Sequence, residues 1–183
     1  MTATEAVRRP LDLSAFVHVK DDGLRLLLRH WLAKRGDRLV PLRTAIDPAE
    51  LGPILASIWL CDFLPGERRF RMRLSGEDIK QLCGRNINQC LFEEIIAPHL
   101  LADILRRYRG VVEQPAVLHC AGQIYLASER SVVGERLVLP LADDSGAILH
   151  LIGASVFGRM SGGSKGPITR ESMTETFTPL LGR

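Results

Sequence analysis

The sequence is poor in aromatic residues, which make up 5% of its 183 residues, so its core must be mostly aliphatic. It also lacks any apolar run near the roughly 18 residues that a membrane-spanning helix needs. The charged N-terminal residues are not followed by an apolar stretch, which argues against a secretory signal. We therefore expect a cytoplasmic globular protein that does not interact with membranes.

Cysteine pairs and a strong charge of one sign are also missing. The four cysteines form no CxxC pair, and their spacing matches no disulfide framework or zinc finger. We expect reduced, mostly buried thiols, because free cysteines behave as small apolar side chains. The net charge is only +3, and basic residues are interspersed with acidic ones, which argues against nucleic acid as a partner.

Known catalytic signatures are absent as well. The sequence contains no nucleophile elbow, no phosphate-binding loop and no dinucleotide-binding glycine motif. Ser155 lies in an apolar segment that predicts a strand, whereas a nucleophile needs an exposed turn. We therefore expect no catalytic residues and no enzyme activity. The alternative is a small enzyme, or a metal- or haem-binding protein, on the same scaffold.

An amphipathic helix is predicted over residues 24–35. Its apolar residues recur at helical spacing on one face and are Leu24, Leu27, Leu28, Trp31 and Leu32. Asp21 or Asp22 is suited to cap the start of this helix, and Gly36 to end it. The apolar face must be covered, and we expect a homodimer in which a second copy covers part of it. Packing within the same chain is the alternative.

A second helix start and a hairpin follow. In the segment Asp47-Pro48-Ala49-Glu50, the aspartate is an N-cap, the proline is the first helical residue and the glutamate completes a capping box. These features predict a short helix that ends near Leu55. Residues 58–63 are an apolar run typical of a buried strand, and residues 69–74 alternate between arginine and apolar residues. The two strands form an antiparallel hairpin.

The rest of the chain contains three helical pieces and then three strands. The helical pieces are residues 75–83, 91–96 and 99–112, and the strands are 115–120, 135–141 and 147–157, the last two joined by a turn at Asp143-Asp144-Ser145-Gly146. This order favours an α+β fold with one antiparallel sheet. We predict a flexible arm at residues 1–20, one domain at 21–159 and a disordered tail at 160–183.

Five further segments carry motifs, and they are Leu42–Leu55 with Asp47-Pro48, Arg73-Leu74-Ser75-Gly76, Cys83-Gly84-Arg85-Asn86-Ile87, Leu91-Phe92-Glu93-Glu94, and Leu137–Leu141 before Asp144-Ser145-Gly146. In this order and spacing, the five segments resemble a bacterial subfamily of stand-alone PAS domains. Trp31 lies where the subfamily tends to carry a tryptophan, and the resemblance covers residues 24–157. The chain departs from the subfamily at Glu77, where threonine is usual, and at Gln89-Cys90, where glycine is usual.

The resemblance implies a PAS-like five-stranded antiparallel sheet with helices on one face and an N-terminal flanking helix. PAS domains bind haem, flavins, small metabolites or nothing, and they signal through dimer contacts. We accordingly expect a sensory or signalling domain that binds a small molecule or a partner protein.

A cavity between the sheet and the helices is the candidate ligand site, with a fully packed core as the alternative. The candidate cavity residues are Phe70, Met72, Leu74, His99, Tyr108, His119 and Ser155. The apolar members would form its walls, and polar members such as Tyr108, His119 and Ser155 would orient a ligand.

Haem, flavin and metal are not expected as cofactors. His99 begins the long helix, where some haem-binding PAS domains carry their axial ligand, but it follows Pro98 directly and can simply face solvent. His119 and Cys120 are neighbours on a strand, so their side chains point to opposite faces and cannot share a metal. The segment Cys83-Gly84-Arg85-Asn86 contains residue types of the flavin-adduct motif of light-sensing relatives, but in the wrong order.

Overall fold

A six-stranded antiparallel sheet forms the centre of the fold. The computed structural model describes residues 11–125, 131–157 and 173–181. The strands are β1 (Ile58–Leu64), β2 (Arg69–Ser75), β3 (Ala116–Tyr125), β4 (Ser131–Ala142), β5 (Ile148–Phe157) and β6 (Met173–Pro179). The helices are α1 (Asp22–Arg35), α2 (Glu77–Cys83), α3 (Phe92–Ile95) and α4 (Pro98–Glu113), and the 3₁₀ helices are Leu13–Phe16, Arg43–Ala45 and Pro48–Ser57.

The strands lie in the order β2-β1-β5-β4-β3-β6, and all neighbours are antiparallel. The predicted β1–β2 hairpin therefore joins the β3-β4-β5 meander through the β1–β5 pair. Asp143 and Ala147 close the predicted turn between β4 and β5, with an amide-to-carbonyl distance of 2.9 Å. The α+β class is confirmed, but the sheet has one strand more than the five that we predicted.

Apolar side chains cover both faces of the sheet. The cluster between the sheet and α2, α3 and α4 includes Trp59, Phe70, Met72, Phe92, Tyr108 and Leu151. The cluster on the opposite face includes Phe16, Leu24, Trp31, Leu137, Leu139 and Ile152. Alternation along β4 and β5 divides neighbouring residues between the two clusters, so each strand contributes to both cores.

The sixth strand corrects the prediction of a disordered tail, which is wrong for residues 173–181. Met173–Pro179 pairs with β3 along its open edge, and Leu180 is fully buried. The Leu180 amide also donates to the Pro115 carbonyl at 2.9 Å. The tail is ordered because it completes a sheet edge and buries an apolar anchor, neither of which its glycine-rich start reveals. Residues 160–172, 182 and 183 lie outside the described residues.

The arm before α1 is likewise ordered, so the prediction of a flexible arm is wrong for residues 11–20. Phe16 and Val19 are fully buried against the α1 side of the sheet. Asp12 caps a 3₁₀ turn here by accepting the Ser14 amide at 2.8 Å. Burial of two apolar side chains therefore orders this segment. Residues 1–10 lie outside the described residues.

The predicted N-terminal flanking helix is α1, and it packs on the sheet face opposite to α2–α4. Asp21 caps α1 by accepting the Leu24 amide at 3.0 Å, and Gly36 ends it with a φ of 52°. The indole N–H of Trp31 donates to the Pro140 carbonyl of β4 at 2.8 Å. This buried hydrogen bond fixes α1 to the sheet, in addition to the apolar contacts.

The apolar face of α1 is covered by the chain's own sheet rather than by a second copy. Leu24, Leu27, Leu28 and Trp31 have no exposed surface, and Leu32 is partly buried against the same cluster. A partner subunit cannot reach the four fully buried side chains. The prediction that this face forms a dimer interface is therefore wrong for them.

The segment Pro48–Ser57 is a 3₁₀ helix, and Asp47 caps it as predicted by accepting the amide two residues later at 2.9 Å. Glu50 does not close the predicted capping box. Its carboxylate instead accepts from Lys34 Nζ at 2.7 Å and lies 3.0 Å from His30 Nδ1. Because His30 Nε2 accepts the Asp47 amide at 3.2 Å, Nδ1 carries the proton and donates to Glu50. These contacts connect α1 to the 3₁₀ helix.

A β-bulge in β2 decides which side chains face the helices α2–α4. Leu60 pairs with Leu74, but Cys61 pairs with Met72, so Arg73 is an extra residue on β2. The extra residue reverses the alternation after Met72. Leu74 consequently points to the other face, where it is 49% exposed. The prediction that Leu74 lines the cavity is therefore wrong.

Candidate ligand cavity

A cavity lies between the sheet and the helices α2, α3 and α4. Its walls are formed by Trp59, Met72, Ile79, Cys83, Ile87, Phe92, Ile95, Ile96, Ile104, Tyr108, Arg136 and Ser155. The free space is about 60 Å³. Because one water needs roughly 10–15 Å³ of such space, the cavity has room for about four to six non-hydrogen atoms. In this conformation it is smaller than the roughly 300–1,000 Å³ of most ligand pockets.

Trp59 lies on the sheet side of the cavity. It pairs across β1 and β5 with Gly153, and its indole ring occupies the space above that glycine. A Cβ atom at position 153 would overlap the ring and lie 2.6 Å from the Leu137 carbonyl oxygen. The absence of a side chain at Gly153 therefore permits the position of Trp59.

Ser155 connects Trp59 to a charged group in the wall. Its Oγ accepts the indole N–H of Trp59 at 3.2 Å and the Nε–H of Arg136 at 2.9 Å. Arg136 is the cross-strand partner of Ser155 on β4. Ser155 has no exposed surface, whereas Arg136 is partly buried. The cavity thus has a polar end built from β1, β4 and β5.

Tyr108 of α4 lies over Trp59 from the helix side. The two rings are stacked, with centroids 5.5 Å apart and planes at 21°. Phe70 and Phe92 meet the Tyr108 ring edge-on at 5.8 and 5.4 Å. Burial raises the pKa of the Tyr108 phenol well above its ordinary value, and the Arg136 guanidinium opposes this shift only in part. The phenol therefore stays protonated at neutral pH and keeps its O–H donor.

The cysteines near the cavity are thiols that form no disulfide within the described residues. Cys83 ends α2 and lines the cavity, while Cys61 and Cys120 are buried in the surrounding apolar cluster. Burial raises the pKa of the Cys61 thiol well above its ordinary value and that of Cys120 to about 11. Both buried thiols are protonated at neutral pH and pack as apolar groups.

The sequence model of the PAS domain matches residues 19–156. This chain belongs to the PAS domain family. The matched region contains α1–α4 and runs into β5, whereas β6 lies beyond it. Comparison with curated proteins gives no match.

Solved structures also resemble this PAS domain at low sequence identity. The Vibrio cholerae VqmA dimer is 13% identical with a TM-score of 0.45, and the match covers 62% of this chain and 52% of that one. The PAS domain of Bordetella pertussis BvgS is 15% identical with a TM-score of 0.45, covering 60% and 81% of the two chains. A Rhodobacter sphaeroides LOV protein is 16% identical with a TM-score of 0.44, covering 64% and 71%. The match thus spans about half the length of the VqmA chain.

PAS domains are generally sensory or signalling modules and are typically not catalytic. Across the residues that the structure describes, no helix of this PAS domain has the length and apolar character to cross a membrane. Within the same ranges, no three His, Cys, Asp or Glu side chains are arranged to hold a metal ion.

The structure brings some of the predicted cavity residues of this PAS domain together. Met72, Tyr108 and Ser155 form part of the cavity wall. Phe70 is fully buried but lies behind the wall, where it stacks on Phe92 at 5.4 Å. Phe70 therefore supports the lining residues without lining the cavity itself.

The two predicted histidines lie away from the cavity, and the prediction that they line it is wrong. His99 is exposed in the first turn of α4. His119 lies on the α1 side of β3, where its Nε2 is 3.0 Å from Glu135 and its ring is 5.1 Å from that of His18. Strand alternation explains this position, because the neighbouring Cys120 occupies the cavity side of the sheet.

Trp59 and Arg136 are cavity residues that the sequence analysis does not single out. For both residues, the pattern of the surrounding strand indicates an inward-facing position. Trp59 alternates with Cys61 and Phe63 on the buried face of β1. Arg136 interrupts an apolar strand. It lies two residues before Val138 and therefore on the same side of the sheet, which faces α2–α4. A charged residue at an inward-facing strand position is a sign of a polar site in a core.

Proposed function

We propose that this PAS domain is a sensor that binds a small molecule in the cavity beside Trp59, Tyr108, Arg136 and Ser155. The observation that supports the proposal best is that free space and buried polar groups coincide. Small-molecule sites typically combine mostly apolar walls with a few convergent polar groups, as this cavity does. The Arg136 guanidinium is one of these polar groups, and its Nε–H donates to Ser155.

The helices α2 and α3 are suited to transmit ligand binding. They contribute Ile79, Cys83, Phe92 and Ile95 to the cavity wall and are only 7 and 4 residues long. Helices of this length depend on packing for their stability rather than on their own hydrogen bonds. A ligand that packs better against one arrangement of α2 and α3 shifts the population toward that arrangement. A partner protein then reads the change on the outer surface.

In this proposal the domain acts in the cytoplasm, and its output is an interaction with a second copy or another protein. Any such interface uses outer surfaces, because the apolar face of α1 is buried in the monomer. Sedimentation velocity at tens of micromolar reports whether the free chain is a monomer or a dimer. It also reports whether a cavity ligand changes that state.

A fragment screen with a matched pair of variants tests the proposal. Thermal unfolding of the full chain is measured against a panel of polar and apolar compounds with four to six non-hydrogen atoms. Cys83→Phe fills the cavity, while Cys90→Phe makes the same change at a partly buried cysteine outside it. We expect compounds that stabilise the wild type and Cys90→Phe but not Cys83→Phe.

Two outcomes would argue against a ligand site. In one, no compound in the panel stabilises the wild type. In the other, the stabilising compounds act equally on Cys83→Phe and on Cys90→Phe. The second outcome would place their binding elsewhere on the protein.

A further inference from the structure

The polar side chains that face the cavity are all able to donate hydrogen bonds. The Arg136 guanidinium has five N–H groups, Tyr108 and Ser155 each have a hydroxyl, and Trp59 has an indole N–H. Among the residues that the structure describes, the wall contains no aspartate, glutamate, asparagine or glutamine side chain. A molecule that complements this wall must therefore supply acceptors.

Ser155 shows most clearly that an acceptor is needed. Its oxygen already accepts hydrogen bonds from Trp59 and Arg136, so both lone pairs are occupied and the hydroxyl proton must point elsewhere. The side chain has no exposed surface, and within the described part of the chain that proton reaches no acceptor. A buried donor without an acceptor is costly, and a ligand oxygen in the cavity would relieve that cost.

The guanidinium of Arg136 decides between a neutral and an anionic acceptor. Arg136 donates to Ser155 and lines the cavity together with Ser155 and Tyr108, so three polar groups contribute to the same wall. Hydrogen bonds to an ionised acceptor are shorter and roughly twice as strong as those between neutral groups. Arg geometry also matches a carboxylate, which can accept two parallel hydrogen bonds.

The apolar part of the wall and the volume of the cavity restrict the rest of the ligand. The other lining residues are apolar, among them Ile79, Ile87, Ile96 and Ile104. A second charged group would be buried against them without a partner, so a dicarboxylate fits poorly. We infer that this PAS domain binds a short-chain monocarboxylate, with its carboxylate at Arg136 and Ser155 and its alkyl chain among the isoleucines. This inference rests on the proposed function and specifies its ligand class.

Isothermal titration of the full chain with propionate and with propionamide tests the inference. The two compounds have the same size and shape and differ in charge. We expect propionate to bind at least about tenfold more tightly than propionamide. Arg136→Met should remove this preference, while Arg106→Met, which changes an exposed arginine on α4 outside the cavity, should keep it.

Ser155→Ala provides a second variant in case Arg136→Met does not fold. It removes one donor with little change in volume, and we expect it to reduce the preference for propionate over propionamide severalfold. Equal binding of the two compounds by the wild type would overturn the carboxylate inference and leave the proposed function intact. If neither propionate, propionamide nor any compound of the fragment panel binds, the proposed function itself fails.

Discussion

Trp59 and Gly153 are cross-strand partners, and the indole of Trp59 fills the space in which a side chain at position 153 would lie. This relationship explains how an antiparallel sheet can accommodate a large ring on its helix-facing side. The ring then reaches both Ser155 on the neighbouring strand and Tyr108 on α4. The position of Trp59 at the candidate cavity thus depends on one missing side chain in β5.

Gly153→Ala should destabilise the protein by about 3 kcal/mol, because the added methyl group overlaps the Trp59 ring and crowds the Leu137 carbonyl. The measurement is the free energy of unfolding in urea. Gly52→Ala is the matched control, since a Cβ atom there meets nothing within 4 Å. If the two substitutions had similar effects, the Trp59–Gly153 contact would be misplaced.

Leu180→Ala should lower the free energy of unfolding by about 3 kcal/mol, because Leu180 is fully buried in the α1-side cluster. Leu181→Ala provides the control, as Leu181 is 38% exposed, and it should cost less than about 1 kcal/mol. Urea denaturation of both variants gives the comparison. Two equally small losses would show that β6 does not dock in solution.

Asp47→Ala should cost about 1 kcal/mol, because it removes the carboxylate that caps the 3₁₀ helix Pro48–Ser57. Asp144→Ala, in the exposed β4–β5 turn, is the control and should have a smaller effect. The same urea experiment measures both. An unchanged stability of Asp47→Ala would mean that this helix does not begin at Pro48.

The stability of the protein should fall as the pH drops through the titration range of His18. Burial lowers the pKa of His18, the nearby His119 and Lys20 lower it further, and Glu135 opposes them. The folded-state pKa therefore lies below the unfolded value of about 6.5, so the unfolded chain binds more protons in this range. The contribution of neutral His18 is present above about pH 6.5 and is lost at lower pH.

A His18→Phe variant isolates this effect, because it keeps a ring beside His119 but cannot take up a proton. Urea denaturation between about pH 7.5 and pH 5 should show a smaller loss of stability for the variant than for the wild type. If both lost stability equally over this range, His18 would not be the group responsible.

Local sequence signals predicted the caps and most strand positions. Asp21 and Asp47 cap the helices that they precede, and the alternation over residues 69–72 places Phe70 and Met72 on the buried face. These features depend on a few adjacent residues, so they can be predicted from the local sequence.

Features that depend on pairing between distant segments could not be predicted in this way. The bulge at Arg73, which turns Leu74 outward, is set by register against β1. The docking of β6 depends on the open edge of β3, and the burial of the α1 face depends on how the two sheet faces are covered. The sequence shows that such apolar residues must be buried, but not what buries them.

Proton–nitrogen NMR of the two tryptophan indoles tests the central claim most directly. Trp59 lines the cavity, while Trp31 lies on the opposite face of the sheet with its N–H bonded to Pro140. Titration with propionate, with propionamide and with the compounds of the fragment panel should move the Trp59 indole signal saturably with at least one of them and leave the Trp31 signal unchanged. If both signals stay fixed, or if both move together without saturation, the cavity is not a ligand site.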